Sequence, residues 1–332
     1  IPSQATGLNA PTFWQSDGVI PSLLAPISSL YGALSARRRR AVSPWRAPVP
    51  VVCVGNLVAG GAGKTPVAIA IANRLTAQGR RPHLLSRGHG GQERGPLQVE
   101  PGRHDALAVG DEPLLLAATA PTWIARDRAA GARAAAQAGA GAIVLDDGFQ
   151  NPSVAKDLSF VVVDGGYGFG NRRLIPAGPL REPVAEGLAR ADAVVLVGED
   201  RIGIGAELPT AMPVLAATLE PGEGAAALRY QPVVAFAGIG RPGKFFATLE
   251  SLPCELLGRH PFADHHRYHD HEVLVLADKA TKLGALLVTT AKDHARLPDH
   301  LRALVTVVDV AVTWKDEDRL DSMLDATFDP KT

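Results

Sequence analysis

A glycine-rich loop that ends in Lys-Thr is the first feature of this sequence that could carry chemistry. The loop reads Val58-Ala59-Gly60-Gly61-Ala62-Gly63-Lys64-Thr65. Small residues let backbone N–H groups approach phosphate oxygens, and a helix that starts at the loop adds the positive end of its dipole. Lys64 could reach the β- and γ-phosphates of a nucleotide, and the Thr65 hydroxyl could be a ligand of Mg²⁺. The loop therefore predicts a phosphate site, although Val58 stands where the strict pattern has glycine.

Two adjacent carboxylates are the second such feature. Asp146 and Asp147 come at the end of an apolar run that starts at residue 142, which predicts a buried strand. In P-loop enzymes an acid at such a strand end holds Mg²⁺ directly or through water. The pair could also cap a turn or a helix. Together with the loop, however, it favours a magnesium site formed by Thr65, Asp146 and Asp147.

The elements that must position these residues alternate between strand and helix. A buried strand at 48–54 precedes the loop, and a helix at 65–77 follows it. The sequence predicts further strands at 82–86, 159–164, 193–197 and 214–217, and helices at 112–119 and 126–138. This alternation is typical of an α/β fold with a doubly wound, mostly parallel sheet of the P-loop type. Such a sheet binds its ligand at the carboxyl ends of the strands.

Two polar residues lie close to the expected ligand edge. Asp111 stands at a helix start, where it could act in the site or simply cap the helix. Arg87 follows the strand at 82–86 and is either a binding residue or an ordinary surface arginine.

The alternation restarts at residue 232, which indicates a second, smaller α/β domain. Its predicted strands are at 232–237, 285–290 and 304–310, and its helices at 244–252 and 271–283. We therefore expect an N-terminal segment (1–40), a nucleotide-binding domain (41–217), a linker (218–231) and a C-terminal domain (232–332) that closes over the active site. A two-domain chain of this kind holds its site in the cleft.

An apolar segment at 18–36 is followed at once by Arg37–Arg40. Its large apolar residues recur at a spacing of three to four, which predicts a helix with one apolar face. A basic cluster beside such a face favours a helix that lies in the interface of an anionic membrane. The two alternatives are a helix that packs on the protein itself and a true membrane span, which the prolines and serines of the segment disfavour.

Composition excludes several classes of protein. Lys and Arg number 34, equal to Asp and Glu, so no basic excess indicates nucleic-acid binding. Only two cysteines are present, Cys53 and Cys254, which argues against a disulfide scaffold and for a reducing compartment. Five histidines between residues 260 and 271 match no zinc pattern.

Eight motifs together resemble the tetraacyldisaccharide 4'-kinases of lipid A biosynthesis. They are GNLVAGGAGKTP (55–66), SRGHGG (86–91), VGDEPLLLA (109–117), LDDGFQNPSVAKD (145–157), GFGNRRLIPAGPLREP (168–183), FAGIGRPGKFFATLE (236–250), FADHHRY (262–268) and LLVTTAKDHARL (286–297). The resemblance covers residues from about 20 to 310 in the family's order. This sequence departs from the family at His89, where the family often has Tyr.

The resemblance implies a kinase that uses ATP and Mg²⁺. Its substrate would be a tetraacylated glucosamine disaccharide 1-phosphate, the lipid A disaccharide 1-phosphate, and its product lipid IVA. The protein would be peripheral on the cytoplasmic face of the bacterial inner membrane, held there by its N-terminal helix. Neither nucleic acid nor a protein partner is expected.

The resemblance also implies a catalytic base. The family pairs a histidine of Asp264-His265-His266 with the acid that is Asp111 here, and such a pair can accept a proton from a sugar hydroxyl. We assign His265, and leave open whether His266 is the partner.

Arg181 is expected to act in phosphate transfer or substrate binding, since the substrate already carries a phosphate. The alternative for Arg181 is a structural salt bridge. The remaining candidate substrate-binding residues are Arg87, His89, Gln150, Glu182 and His266.

Two other functions compete with the kinase. A soluble P-loop ligase or GTPase would explain Lys64, Thr65 and Asp146 but not the apolar segment. A nucleotide-dependent membrane adaptor would need no base, so replacing Asp111 would leave its activity unchanged.

Overall fold

The computed structural model describes residues 11–329. The first ten residues of the expected N-terminal segment and the last three residues of the chain lie outside this range. Two sheets dominate the described part, one of nine strands and one of four.

The nine-stranded sheet carries the glycine-rich loop. Its strands are β1 (Val51–Gly55), β2 (Pro82–Ser86), β3 (Leu97–Val99), β4 (Thr122–Ile124), β5 (Ala142–Asp146), β6 (Leu158–Asp164), β7 (Ala193–Val197), β8 (Val214–Pro221) and β13 (Val310–Trp314). Their order is β13-β8-β7-β6-β1-β5-β2-β4-β3, and only the edge strands β13 and β3 run antiparallel to their neighbours. The central strands are buried along their whole length and mostly apolar, because helices cover both faces of a parallel sheet.

The four-stranded sheet is parallel throughout and forms the smaller domain. Its strands are β9 (Pro232–Ala237), β10 (Glu255–Pro261), β11 (Leu286–Thr290) and β12 (Thr306–Val308), in the order β10-β9-β11-β12. Strand β10 was not expected from the sequence. Gly258 and Pro261 weaken its strand pattern, and it lies at the sheet edge, where a register shift at Gly258 is tolerated.

Ten α-helices lie in the described part of the chain. They are α1 (Val19–Arg40), α2 (Lys64–Ala77), α3 (Ala106–Val109), α4 (Asp111–Ala117), α5 (Arg128–Gln137), α6 (Val184–Leu188), α7 (Pro242–Ser251), α8 (Asp270–Lys282), α9 (Ala291–Ala295) and α10 (Glu317–Phe328). The helix expected at 65–77 is α2, whose apolar face is buried against the sheet.

The C-terminal part of the chain corrects the expected division into domains. Residues 232–332 were expected to form the smaller domain, but β13 pairs with β8 in the large sheet. Helix α10 follows it there, and its Leu320 and Leu324 are buried in the core of the large domain. The expected linker also overlaps β8, which continues to Pro221. The strand predicted at 304–310 corresponds to β12, and β13 at Val310–Trp314 was not predicted from the sequence. An apolar pattern in any case does not identify which sheet a strand will join.

Helix α1 lies on the large domain and leaves much of its apolar surface open. Ser28 is buried and bonds to the backbone of Leu174 and Ala177. On the other side Leu23, Leu30 and Leu34 are between 59% and 73% exposed. Within residues 11–329, α1 is the one helix long and apolar enough to cross a membrane, by length and composition alone.

Candidate functional site

The glycine-rich loop connects β1 to α2, so it opens at the carboxyl edge of the large sheet. Gly63 is the residue before α2 and adopts φ of 87°, a left-handed conformation that favours glycine. Two backbone hydrogen bonds fix the loop to the segment after residue 178: Ala59 donates to Pro179, and Arg181 donates to Leu57. The loop and the Arg181 segment are thus built as one unit.

Asp146 ends β5 directly beside the loop. The Thr65 hydroxyl donates to its Oδ2 at 3.1 Å, while its Oδ1 is buried with no hydrogen-bond partner. Burial, together with the nearby Glu112 and Asp147 carboxylates, raises the pKa of Asp146 to about 7. A buried carboxylate that lacks a partner and repels its neighbours provides a favourable position for a cation.

Unlike Asp146, Asp147 directs its side chain toward Lys64 and Arg181. Its φ of 54° is left-handed, and its Oδ1 lies 2.7 Å from Arg181 and 3.8 Å from Lys64. Burial alone would raise the pKa of Asp147, but the two cations lower it. Asp147 therefore stays ionised and links the lysine of the loop to Arg181.

These residues fit a magnesium ion. No group of three or more His, Cys, Asp or Glu side chains in residues 11–329 is arranged to hold a metal by itself. Mg²⁺ is commonly held by one or two carboxylates together with substrate phosphates, so a complete protein cage is not needed. Thr65 and the unpaired oxygen of Asp146 match that smaller donor set.

Asp111 begins α4 and lies against the small domain. Its Oδ2 accepts hydrogen bonds from two nitrogens of Arg296 at 2.7 and 3.0 Å, and His265 Nδ1 lies 3.6 Å away. Burial would raise the pKa of Asp111, but His265 and Arg296 lower it. The Asp111 carboxylate in turn raises the pKa of His265.

The structure separates His265 from His266. His265 has a left-handed φ of 56°, and its ring lies 5.9 Å from that of His89. The Nε2 atom of His266 contacts the carboxylate of Glu272 at 3.0 and 3.1 Å, on the side of α8. His265 is therefore the histidine that faces Asp111.

Two cations of the small domain were missed from the sequence. Arg296 holds Asp111, and Lys292 donates to Glu112 at 2.7 Å. Both follow β11, in and just after α9, and both lie in one of the eight quoted motifs. A basic residue after a predicted strand was the available signal, but nothing local indicated that it would face the other domain.

A cleft of about 2410 Å³ lies between the two domains. Its walls include the whole loop from Val58 to Thr65, Asp147, His265 and part of α1. The predicted residues Arg87, His89, Gln150 and Arg181 also line it. One cavity thus brings together residues from six separate stretches of the chain.

Two predicted substrate-binding residues lie elsewhere. Glu182 is fully buried, and its carboxylate accepts hydrogen bonds from Arg190 and Gln150. His266 is held by Glu272 and packs on the rings of Phe262 and Tyr268. Neither side chain lines the cleft: the Glu182 carboxylate and Nε2 of His266 are held by protein groups, and substrate binding by these two residues stays a prediction.

Comparison with known proteins gives consistent matches over nearly the whole chain. A family model described as tetraacyldisaccharide-1-P 4'-kinase matches residues 20–329. The tetraacyldisaccharide 4'-kinase of Rhodospirillum centenum is 56% identical over 323 residues, which is 96% of each chain. That of Gluconacetobacter diazotrophicus is 53% identical, covering 97% of this chain and 99% of the other.

The fold also matches a solved structure. LpxK of Aquifex aeolicus, crystallised as an "apo" form in complex with ATP, superposes with a TM-score of 0.78 at 29% identity. The match covers 93% of this chain and all of that one.

Proposed function

The chain belongs to the tetraacyldisaccharide-1-P 4'-kinase family, and we propose that the cleft between its two domains carries out the family's reaction. The protein is an ATP-dependent kinase of lipid A biosynthesis that phosphorylates the 4'-hydroxyl of a tetraacylated glucosamine disaccharide 1-phosphate. The observation that carries the proposal is that one cleft holds the Lys64 loop and the His265 ring that faces Asp111.

Lys64 and the loop would bind the triphosphate of ATP. As the γ-phosphate leaves, negative charge grows on its bridging and terminal oxygens, and a fixed ammonium stabilises that charge more in the transition state than in the ground state. Asp147 keeps the Lys64 ammonium at the loop, since the two groups lie 3.8 Å apart.

Thr65 and Asp146 would hold Mg²⁺. When bound there, the ion would neutralise charge on the β- and γ-phosphate oxygens. Asp147 serves better as a partner of Arg181 and Lys64, because its oxygen is already occupied by those cations.

His265 would remove the proton from the 4'-hydroxyl. Its Nδ1 faces Asp111, so its Nε2 is the nitrogen that can accept a proton from the substrate. The Asp111 carboxylate orients the ring and stabilises the imidazolium that forms. Arg296 keeps Asp111 ionised for that purpose.

Arg181, Arg87, His89 and Gln150 would bind the substrate. All four line the cleft. Arg181 already makes a salt bridge with Asp147, so it combines the structural role with an accessible cationic edge, as its side chain keeps 25% of its surface exposed.

An assay of ATP-dependent phosphorylation of the lipid disaccharide in detergent tests this function. Lys64→Ala is expected to lower kcat by about 10²–10³, the usual effect of losing one preorganised donor to the transition state. Lys282→Ala removes an exposed lysine from α8 and serves as the matched control. Turnover of the Lys64 variant close to that of the control would exclude the loop as the phosphate site.

We further propose that α1 places the enzyme on the cytoplasmic face of the inner membrane. The acceptor carries four acyl chains, so its headgroup is reached at the bilayer surface. The exposed leucines of α1 would insert among acyl chains, and Arg37, Arg38 and Arg40 would face anionic headgroups. Arg39 is an exception to the expected basic cluster, because it turns inward to Glu186 and Glu182.

Vesicle flotation tests this placement. Replacing Leu23, Leu30 and Leu34 with Gln together is expected to abolish flotation and to raise KM for bilayer lipid more than KM for ATP. The same substitution at exposed Leu274, on α8, is the control. Unchanged flotation of the triple variant would leave α1 as a helix that only packs on the protein.

A further inference from the structure

A second contact between the domains lies on the opposite side of the loop from Asp111. Arg241, the residue before α7 of the small domain, places its Nη2 2.6 Å from the carbonyl oxygen of Gly61. The same nitrogen lies 2.8 Å from Oδ2 of Asp164, the last residue of β6. One guanidinium of the small domain thus joins the phosphate loop to the carboxyl end of β6, a central strand of the large sheet.

The guanidinium is held firmly in this position. Its centre lies 5.4 Å from the ring centroid of Tyr167, a distance typical of a cation–π contact. Asp164 is itself fixed, since its other oxygen accepts a hydrogen bond from the backbone of Gly166 at 2.9 Å. Burial would raise the pKa of Asp164, but Lys244 and Arg241 lower it, so the carboxylate remains charged.

The part of the loop that Arg241 contacts has little packing of its own. A Cβ atom added to Gly60 or to Gly61 would meet no atom within 4 Å, and Gly60 adopts φ of 118°. Glycines in open space have many accessible conformations, so an external contact is needed to select one of them.

The Gly61 carbonyl belongs to the same peptide unit as the N–H of Ala62. Because a trans peptide is planar, this carbonyl and the N–H of Ala62 point in opposite directions. A hydrogen bond that fixes the carbonyl therefore also fixes the direction of the N–H, and N–H groups of such a loop are the donors to phosphate oxygens.

We propose that Arg241 is a positioning residue for the phosphate loop, through which the small domain sets the orientation of the Gly61–Ala62 peptide. The proposal rests on the proposed role of this loop in binding ATP. Arg241 acts through the loop rather than on the substrate, and Asp164 and Tyr167 hold it in place.

Lys244 offers a matched control. It also contacts Oδ2 of Asp164 from α7, and within residues 11–329 it makes no hydrogen bond or salt bridge with the loop. Arg241→Gln and Lys244→Gln each remove one cation from Asp164, so they differ in the contact with Gly61 and in the Tyr167 contact that holds Arg241 in place. The experiment compares these two variants of the full chain with the wild type.

Arg241→Gln is expected to raise KM for ATP about tenfold, the effect of losing one charge-assisted hydrogen bond, with KM for the lipid within about twofold. Lys244→Gln should leave both constants within about twofold. Arg241→Lys keeps the charge but not the planar fork, and should give an intermediate KM for ATP.

Hydrogen exchange without nucleotide gives a second readout that a role in stability alone would not move. The peptide that covers residues 58–63 should exchange faster in Arg241→Gln and at the wild-type rate in Lys244→Gln. Equal KM values for ATP in the two variants, or unchanged exchange in Arg241→Gln, would overturn the proposal. Lys64→Ala tests the phosphate site itself, so failure of that premise would show separately.

Discussion

Two regions of this protein each present a pair of identical neighbouring residues, and the structure treats the pairs differently. At the end of β5, Asp146 and Asp147 both stay in the site but in opposite electrostatic environments. In the loop after β10, only His265 enters the cleft, while His266 turns to Glu272. In each pair one member adopts a left-handed backbone, Asp147 and His265, which points successive side chains in different directions.

The difference follows from what surrounds each pair. The strand end lies beneath the loop, where Thr65, Lys64 and Arg181 supply partners on two sides. The histidine loop lies at a domain surface, with Asp111 on one side and α8 on the other. Identical neighbours in sequence therefore have different surroundings in the structure, and their separate replacement tests the function proposed for each.

The largest effect is expected at the strand end. Asp146→Asn should lower kcat/KM by about 10²–10³ and raise the Mg²⁺ concentration needed for half-maximal activity, because the variant loses a charged donor for the ion. Asp147→Asn should lower kcat/KM about tenfold without changing the Mg²⁺ requirement, because it loses only partly exposed ion pairs with Lys64 and Arg181. Titration of activity with Mg²⁺ measures both, and the reverse pattern would exchange the two roles.

A smaller effect is expected in the histidine pair. His265→Gln should lower kcat about a hundredfold, within the range for loss of a general base. His266→Gln should keep kcat within about twofold but reduce thermal stability, because its contact with Glu272 at the start of α8 is lost. Steady-state kinetics and thermal unfolding of the two variants check this, and equal losses of kcat would show that the pair is not divided as described.

The smallest effect is a shift along the pH axis. The pKa of His265 is raised above 6.5 by Asp111, so the neutral base is formed, and kcat rises, as pH passes through that raised value. The attraction between protonated His265 and Asp111 also stabilises the fold. This contribution is fully present below the pKa of His265 in the unfolded chain, about 6.5, and is lost as pH rises through its raised pKa in the folded protein. Asp111→Asn should move the acid limb of the pH–kcat profile to lower pH, whereas His266→Gln should not. If the acid limb does not move in Asp111→Asn, the titration of His265 does not control kcat.

The sequence by itself was enough to predict the residues of the proposed phosphate site. Val58 to Thr65 is continuous, and the strand before it and the helix after it are visible from their own apolar patterns. The Asp146-Asp147 pair is recognisable for the same reason, because a strand and the acids at its end are neighbours in the chain. The α/β fold class followed from the same local alternation, and the comparisons and the structure confirm it.

Only the tertiary structure decided what faces that half. Arg296, Lys292 and Arg241 come from the small domain and reach Asp111, Glu112 and Gly61 through contacts separated by about 180 residues. The pairing of β13 with the large sheet, the packing of α10 on it and the burial of Glu182 also depend on contacts between distant parts of the chain. Local patterns report which face of an element is apolar. They do not report which element will cover it, because that depends on how the whole chain packs.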